Sequence, residues 1–242
     1  MKVNVRYSLF TIILIICFSD TLNAQMFSVQ SEQTTRRDAP DNNILLGFEP
    51  TSFTFRGDEN ANVLSFSDPV YQLRAELSGF QGYLALGYNL GDENSLNYLN
   101  AGAEIDGEYR FAGDRNYFMS IPLVLNTDYL QVGTQNDIDR SDHFRQSSAM
   151  VGLGFGFGVR LAGRLRIESR AVPFYGYSVT SFGASGGSRS SLSIQNRIYL
   201  DRLFDRIGIT AGFDFRTSRY NMRDERFDYD ITSNSFVIGV TF

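Results

Sequence analysis

The sequence ends in Phe236-Val237-Ile238-Gly239-Val240-Thr241-Phe242. Large apolar side chains occupy every second position of this stretch, and the residues between them are mostly small. A two-residue period is the side-chain repeat of a β-strand. Because chain termini usually fray, a hydrophobic strand in this position is expected to be closed into a sheet.

The same period recurs along most of the chain. In segment 97–111, for example, apolar residues such as Leu99 and Ile105 alternate with acidic residues such as Glu104 and Asp106. The weakest candidate is 43–56, since its alternation is poor and Pro50 interrupts it. Pro122 cannot donate a ladder hydrogen bond, so a bulge or a local gap is expected there. The predicted strands are 43–56, 70–77, 83–90, 97–111, 117–129, 149–162, 165–178, 190–200, 206–218 and 230–242.

The connections between these segments alternate strictly between short and long. This asymmetry is typical of outer-membrane barrels, which have short periplasmic turns, long extracellular loops and an even number of strands. The short connections are 78–82, 112–116, 163–164 and 201–205, and the mostly longer, polar ones are 57–68, 91–95, 131–148, 180–189 and 219–229.

A soluble sandwich would show the same alternation, so other features must decide between the two. The clear strands reach the ~9–11 residues that a tilted membrane-spanning strand needs. Aromatic residues also gather near strand ends, as in interfacial girdles. We therefore predict an all-β fold, a closed antiparallel up-and-down transmembrane β-barrel of about ten strands. If 43–56 is not a strand, 61–67 or another segment must replace it, or the barrel has about eight strands. The girdle aromatics are predicted to be Tyr83, Tyr109, Phe111, Tyr117, Phe204 and Phe242 at one end, and Tyr88, Tyr98, Tyr129, Tyr177 and Tyr220 at the other.

The terminal strand resembles the C-terminal signature of Gram-negative outer-membrane β-barrels, the porin-like and OmpA-like superfamily. The resemblance implies a cellular location and an architecture, and it does not imply an activity. It implies that Phe236, Ile238, Val240 and Phe242 direct the chain to the barrel-assembly machinery.

The start of the sequence predicts export. Lys2 and Arg6 precede an apolar run at 9–18 that is too short to span a membrane, and Ala24 ends an acceptable cleavage site. The predicted organisation is a signal peptide at 1–24, a flexible periplasmic lead-in at 25–42 and a barrel at 43–242. Both mature termini are expected in the periplasm, with the barrel in the cell outer membrane.

Composition excludes several classes of function. Cys17 and Lys2 are the only cysteine and the only lysine, and both leave with the signal peptide. The mature chain is therefore expected to have no disulfide, no thiolate chemistry and no Schiff-base lysine. The net charge is −5 and the arginines are scattered, so nucleic acid is not an expected partner. No cofactor and no metal site are predicted, and the repeated acidic stretch Gly-Asp-Glu-Asn at 57–60 and 91–94 is read as a turn sequence.

The polar face of the predicted strands should line the lumen, because a one-residue slip would turn its charges toward lipid. Charges of both signs should pair there. Glycines at 152, 154, 156 and 158 would leave one wall bare, and we expect long side chains from the opposite wall to fill it. A hydrated slot for solutes is the alternative. The predicted lumen charge network is Arg74, Glu76, Glu104, Asp106, Glu108, Arg110, Arg160, Arg166, Glu168, Arg170, Arg197, Asp214 and Arg216.

The favoured function is a non-enzymatic barrel with a filled lumen and a structural or surface-interaction role. A narrow porin-like channel is the runner-up, and a barrel enzyme acting on lipid or peptide is third. His143 is the only histidine, and nearby Ser141, Asp142 and Ser147 have no recognised triad spacing, so no catalytic residue is assigned. Outer-membrane lipid and lipopolysaccharide are the expected partners, through the phosphate-binding ability of arginine; the oligomeric state stays open. The arginines considered for that contact are Arg140, Arg145, Arg189, Arg219, Arg223 and Arg226.

Overall fold

The computed structural model describes residues 42–56, 63–87, 96–114, 116–134, 143–162, 164–180, 186–204, 207–221 and 229–242. Within these ranges, no helix is long and apolar enough to cross a membrane. The strands are β1 (Asn43–Arg56), β2 (Val63–Phe66), β3 (Pro69–Leu77), β4 (Phe80–Gly87), β5 (Leu96–Gly113), β6 (Tyr117–Thr134), β7 (His143–Leu153), β8 (Phe155–Ala162), β9 (Leu165–Thr180), β10 (Gly187–Phe204), β11 (Ile207–Asn221) and β12 (Tyr229–Thr241).

These strands form one closed antiparallel sheet. Neighbours in the ring pair antiparallel, and β12 closes the barrel on β1, with Asn43 opposite Thr241 and Phe55 opposite Tyr229. β7 and β8 follow one another along the same edge of β6 and of β9 and together make one wall strand. In the same way, β2 and β3 follow one another along one edge of β1 in a single register and together make one wall strand. The described residues thus form a ten-stranded barrel, which confirms the predicted fold and count and excludes the eight-stranded alternative.

Segment 43–56, the weakest prediction, is a full wall strand. It pairs with β12 on one side and with β3 on the other, where Pro50 lies opposite Pro69. The missing proline donors therefore interrupt the ladder only locally.

The break between β7 and β8 lies opposite Pro122. Pairing with β6 stops at Leu123 opposite Leu153 and resumes at Ser120 opposite Gly156. The Gly154 amide donates to the Pro122 carbonyl at 3.0 Å, but Pro122 has no amide to return the bond. The local gap expected at this proline is confirmed.

The side chains alternate between the two faces of the wall. On β3, Gln72, Arg74 and Glu76 are buried inside, whereas Tyr71 and Leu73 are exposed outside. The same holds around the ring, so a belt of exposed apolar side chains surrounds a mostly polar interior. A soluble protein rarely exposes so large an apolar surface. The exposed side chains of the terminal strand are Phe236, Ile238, Val240 and Phe242.

Three aromatics predicted for the girdles lie inside the barrel instead. Tyr83, Tyr98 and Tyr220 are buried, whereas Tyr109 and Phe204 are exposed on the outside as expected. Side chains alternate between the two faces of a strand, and Tyr83 lies two residues from Ala85 on the inward face of β4. Nearness to a strand end does not determine the face.

The register predicts how charge is tolerated on the outside. Replacing Leu125, near the middle of β6, with Arg should lower the free energy of unfolding by about 2–4 kcal/mol, because the new charge meets the hydrocarbon centre. The matched Leu161→Arg change lies at the end of β8 and should cost only about 0–1 kcal/mol. Urea titrations in lipid vesicles measure both, and equal costs would contradict the register.

Candidate functional site

The barrel interior is stacked in layers along its axis, and the layer next to the long connections is apolar. Its members are all less than one-tenth exposed. Phe53 on β1 meets Phe144 on β7 with 5.1 Å between ring centroids, and these two strands are diametrically opposite in the ring of ten. Tyr229 contacts both rings. We call this set the aromatic layer: Phe53, Phe66, Val70, Ala85, Tyr98, Leu130, Val132, Phe144, Tyr220, Tyr229 and Ile231.

Arg189 lies directly below the aromatic layer. Its Nη1 donates to both carboxylate oxygens of Asp128, at 2.6 and 2.7 Å, and to Ser148 at 2.7 Å, while Nη2 reaches Ser218 at 3.2 Å. The suggestion that Arg189 contacts lipid phosphates from an outer loop is therefore wrong. Arg189, Ser191 and Ser193 follow one inward period, which could have revealed the position if β10 had been extended by a few residues.

The middle layer joins opposite walls through ion pairs. Arg197 on β10 donates to Glu76 on β3 at 2.7 Å and is also bonded to Asp214. Arg74 pairs with the same Asp214 at 2.9 Å. These side chains are at most one-tenth exposed.

A second set of middle-layer bonds spans the full diameter. Arg216 on β11 donates to Glu104 on β5 at 2.8 Å, and these strands are again opposite one another. The other Arg216 amino group donates to the Tyr83 hydroxyl at 2.9 Å. Burying a charge is tolerable only when it is paired and hydrogen-bonded. Arg197 and Arg216 meet both conditions, whereas Arg74 is paired with Asp214 without a hydrogen bond from its Nε or Nη1.

The side chains of the last layer, near the short turns, are more exposed. Arg170 pairs with Asp106 at 2.6 Å, Arg166 with Glu168 at 2.5 Å, and Arg110 with Glu108 at 3.1 Å. Arg166 also pairs at 3.2 Å with Asp201, which the sequence-based network omits because the sequence predicts a turn at 201–205. β10 continues to Phe204 through an irregularity that includes Arg202 at φ 55°.

Arg160 differs from the other twelve residues of the predicted set. It is half-buried and lies opposite Arg166 in the β8–β9 pairing, and no ion pair joins it to another described residue. The other twelve all take part in the ion pairs of the middle and short-turn layers.

The glycine wall is filled mainly by neighbouring strands. A side chain at Gly158 would meet the Phe118 ring of β6, and one at Gly152 would meet Val172 and Phe174 of β9. The expectation that long side chains from the opposite wall cover all four glycines is therefore wrong. Side chains on adjacent strands are closest, and two rings and a valine already occupy the space.

Space remains at the short-turn end. A cavity of about 290 Å³ lies there, bounded by the turn at 78–79 and by Gly156, Tyr199 and the ion pairs of the short-turn layer. Arg197 and Glu76 also line it. The interior is thus packed at the long-connection end and hollow at the other.

Other residues singled out in the sequence lie apart from the interior. Arg145 and Arg219 are exposed on outward positions of β7 and β11. His143 begins β7, but its side chain lies outside the described residues. In the described part of the chain, no group of three or more His, Cys, Asp or Glu could hold a metal ion. Also outside the described residues are Arg140, Ser141, Asp142, Arg223, Arg226 and both acidic turn sequences.

The buried ion pairs should matter far more than the exposed ones. Arg197→Met leaves Glu76 and Asp214 short of a partner in a buried layer and should cost about 3–5 kcal/mol of unfolding free energy. The control, Arg110→Met, removes a pair whose arginine is half-exposed and should cost about 0–1 kcal/mol. Denaturant midpoints at unchanged m-value report both, and a cheap Arg197→Met change would contradict the pairing shown.

Comparison with known proteins yields only distant structural likeness. No protein-family model and no curated protein sequence matches the chain. The outer-membrane protease OmpT of Escherichia coli aligns with a TM-score of 0.48 at 8% identity, over 85% of this chain and 97% of that one. The attachment invasion locus protein Ail of Yersinia pestis aligns at 0.34 and 10%, over 84% and 97%. The NanC porin aligns at 0.28 and 10%, over 82% and 98%.

These three proteins differ in what their names describe, and at such identities no activity transfers to this chain. Its own geometry is more informative. A closed sheet leaves no edge unpaired, its outside is apolar, and its inside holds paired charges. The chain therefore has the fold of a ten-stranded transmembrane β-barrel.

Proposed function

We propose that the protein is a non-conducting outer-membrane barrel that serves as a rigid base for its outer connections, with a structural or surface-interaction role. The observation that carries this proposal is the double closure of the bore. The Phe53–Phe144 contact and the Arg216–Glu104 ion pair each join diametrically opposite walls. An ion passing through the barrel would have to cross both the aromatic layer and the ion-pair layer.

The closure is costly to open. The polar side-chain atoms of the aromatic layer are the hydroxyls of Tyr98, Tyr220 and Tyr229, too few to replace the hydration shell of an ion. Conduction needs such ligands or a wide hydrated path. The charges of the middle layer are already bonded to one another, so they do not form a free ring of one sign that would select ions. A barrel of about this strand number is narrow enough for side chains to fill.

The orientation that fits this role places the short turns in the periplasm. The barrel segments nearest both termini lie at that end, where the Phe242 amide donates to the Asn42 carbonyl at 2.9 Å. The long connections then face outward, as in barrels of this type. Phe236, Ile238, Val240 and Phe242 remain the proposed assembly signal, and Arg145 and Arg219 are the described arginines available to lipopolysaccharide phosphates.

Non-conduction is tested directly in planar bilayers. The purified, folded protein should give no stable single-channel conductance, whereas a porin reconstituted in parallel should conduct. Phe144→Ala alone should also stay closed, because the ion-pair layers below it are intact. A stable conductance from the parent protein would overturn the proposal in favour of the narrow channel.

The surface-interaction role is tested by replacing the outer connections 135–142 and 222–228 with short Gly/Ser turns. Cells displaying this variant should lose adhesion to host-cell or abiotic surfaces to which the parent adheres. The control is the parent carrying an epitope tag in the short turn at 78–79, which should adhere normally and stay hidden from antibody on intact cells. Equal adhesion by the replacement variant would reduce the role to a structural one.

A further inference from the structure

The cavity at the short-turn end lies apart from the outer connections and has the composition of a binding site. Its volume of about 290 Å³ is at the lower end of the range for small-molecule pockets. Arg197 and Glu76 of the middle ion-pair layer bound it on one side, and the turn at 78–79 bounds it near the short-turn end.

The charges around the cavity are balanced in sign. Arg110, Arg166 and Arg170 face Asp106, Glu108 and Glu168 around its wall. The most exposed of these side chains are Arg110 at 47%, Glu108 at 30% and Glu168 at 26%. A wall of this kind attracts neither a simple anion nor a simple cation strongly, but it complements a molecule that carries both charges.

Neighbouring side chains hold Arg110 in place and leave some of its hydrogen-bond donors unused. Its guanidinium lies 4.1 Å from the centroid of the Phe118 ring, and its Nε donates to Glu108 at 3.1 Å. Glu108 is fixed in turn by the Ser120 hydroxyl, which donates to it at 2.7 Å. The two terminal nitrogens of Arg110 make no hydrogen bond to another described residue. A guanidinium positioned in this way can bind a carboxylate through two parallel bonds.

The space next to Arg110 and Glu108 exists because the facing wall has a glycine, Gly156. Any side chain at Gly156 would contact the Ser120 hydroxyl and lie 3.7 Å from a Glu108 carboxylate oxygen, so it would intrude where the charged groups converge. The bare part of the wall thus keeps the cavity open at the level of Glu108.

We infer that this cavity binds a small zwitterion on the scale of a dipeptide. Arg110 binds its carboxylate, and Glu108 and Glu168 bind its ammonium group. The inference does not rest on the role proposed for the outer connections, since the cavity lies at the other end of the barrel.

The probe is alanylalanine, titrated calorimetrically into the folded barrel in detergent micelles. Saturable binding is expected, together with a shift of the Arg110 Nε resonance in the ¹⁵N spectrum. N-acetyl-alanylalanine lacks the ammonium group and alanylalanine amide lacks the carboxylate, so each should bind at least about tenfold more weakly. Absence of saturable binding, or equal binding of either blocked peptide, overturns the inference.

Substitutions locate the site. Arg110→Gln and Glu168→Gln should each weaken alanylalanine binding by at least about tenfold, whereas Arg219→Gln on the outside of β11 should leave it unchanged. Heat-modifiable electrophoretic mobility verifies that each variant is folded, and Arg110 is exposed enough for its loss to be tolerated. Unchanged affinity in either cavity variant contradicts the assignment.

Discussion

The pairing of β1 with β12 is the constraint on which the rest of the structure depends. Lipid cannot satisfy an open sheet edge, so the first and last strands must find each other before the barrel can exist in a membrane. Eleven residue pairs from Asn43–Thr241 to Phe55–Tyr229 form this seam. Successive side chains of a strand point to opposite faces of the sheet. Once the ring is closed, this alternation places every second side chain inside, and the apolar exterior and charged interior follow from it.

Closure also turns the lumen into a protein core. The interior of a closed ring is too narrow to leave empty, so side chains must fill it or water must hydrate it. The half next to the long connections is filled with aromatic rings, and the middle is filled with arginines bonded across the bore to carboxylates. The short-turn end is left hollow because Gly156 contributes no side chain there. A single wall thus surrounds aromatic packing, buried ion pairs and a polar cavity at successive depths.

The sequence predicted the fold well because alternation is local. The alternation in segment 97–111 identifies both the strand and its two faces. Pro122 in turn predicts the local gap in strand pairing that lies opposite it. Ion-pair partners are a different matter. Arg216 and Glu104 are 112 residues apart, and their contact depends on how strands on opposite sides of the ring are staggered. Nor could nearness to a strand end place Tyr83, whose inward position depends on parity from the start of β4.

The strands are longer than a bilayer requires, and this has a mechanical consequence. β10 has 18 residues, on the order of 60 Å of strand, whereas a tilted spanning strand needs about 9–11 residues. Beyond the apolar belt the outward positions become polar, as at Arg145, Ser147, Arg219 and Asp230. The aromatic layer fills the bore beneath this polar rim and stiffens it from within. At the end next to the long connections, the barrel therefore continues past the apolar belt as a filled cylinder, and its polar rim stands clear of the hydrocarbon.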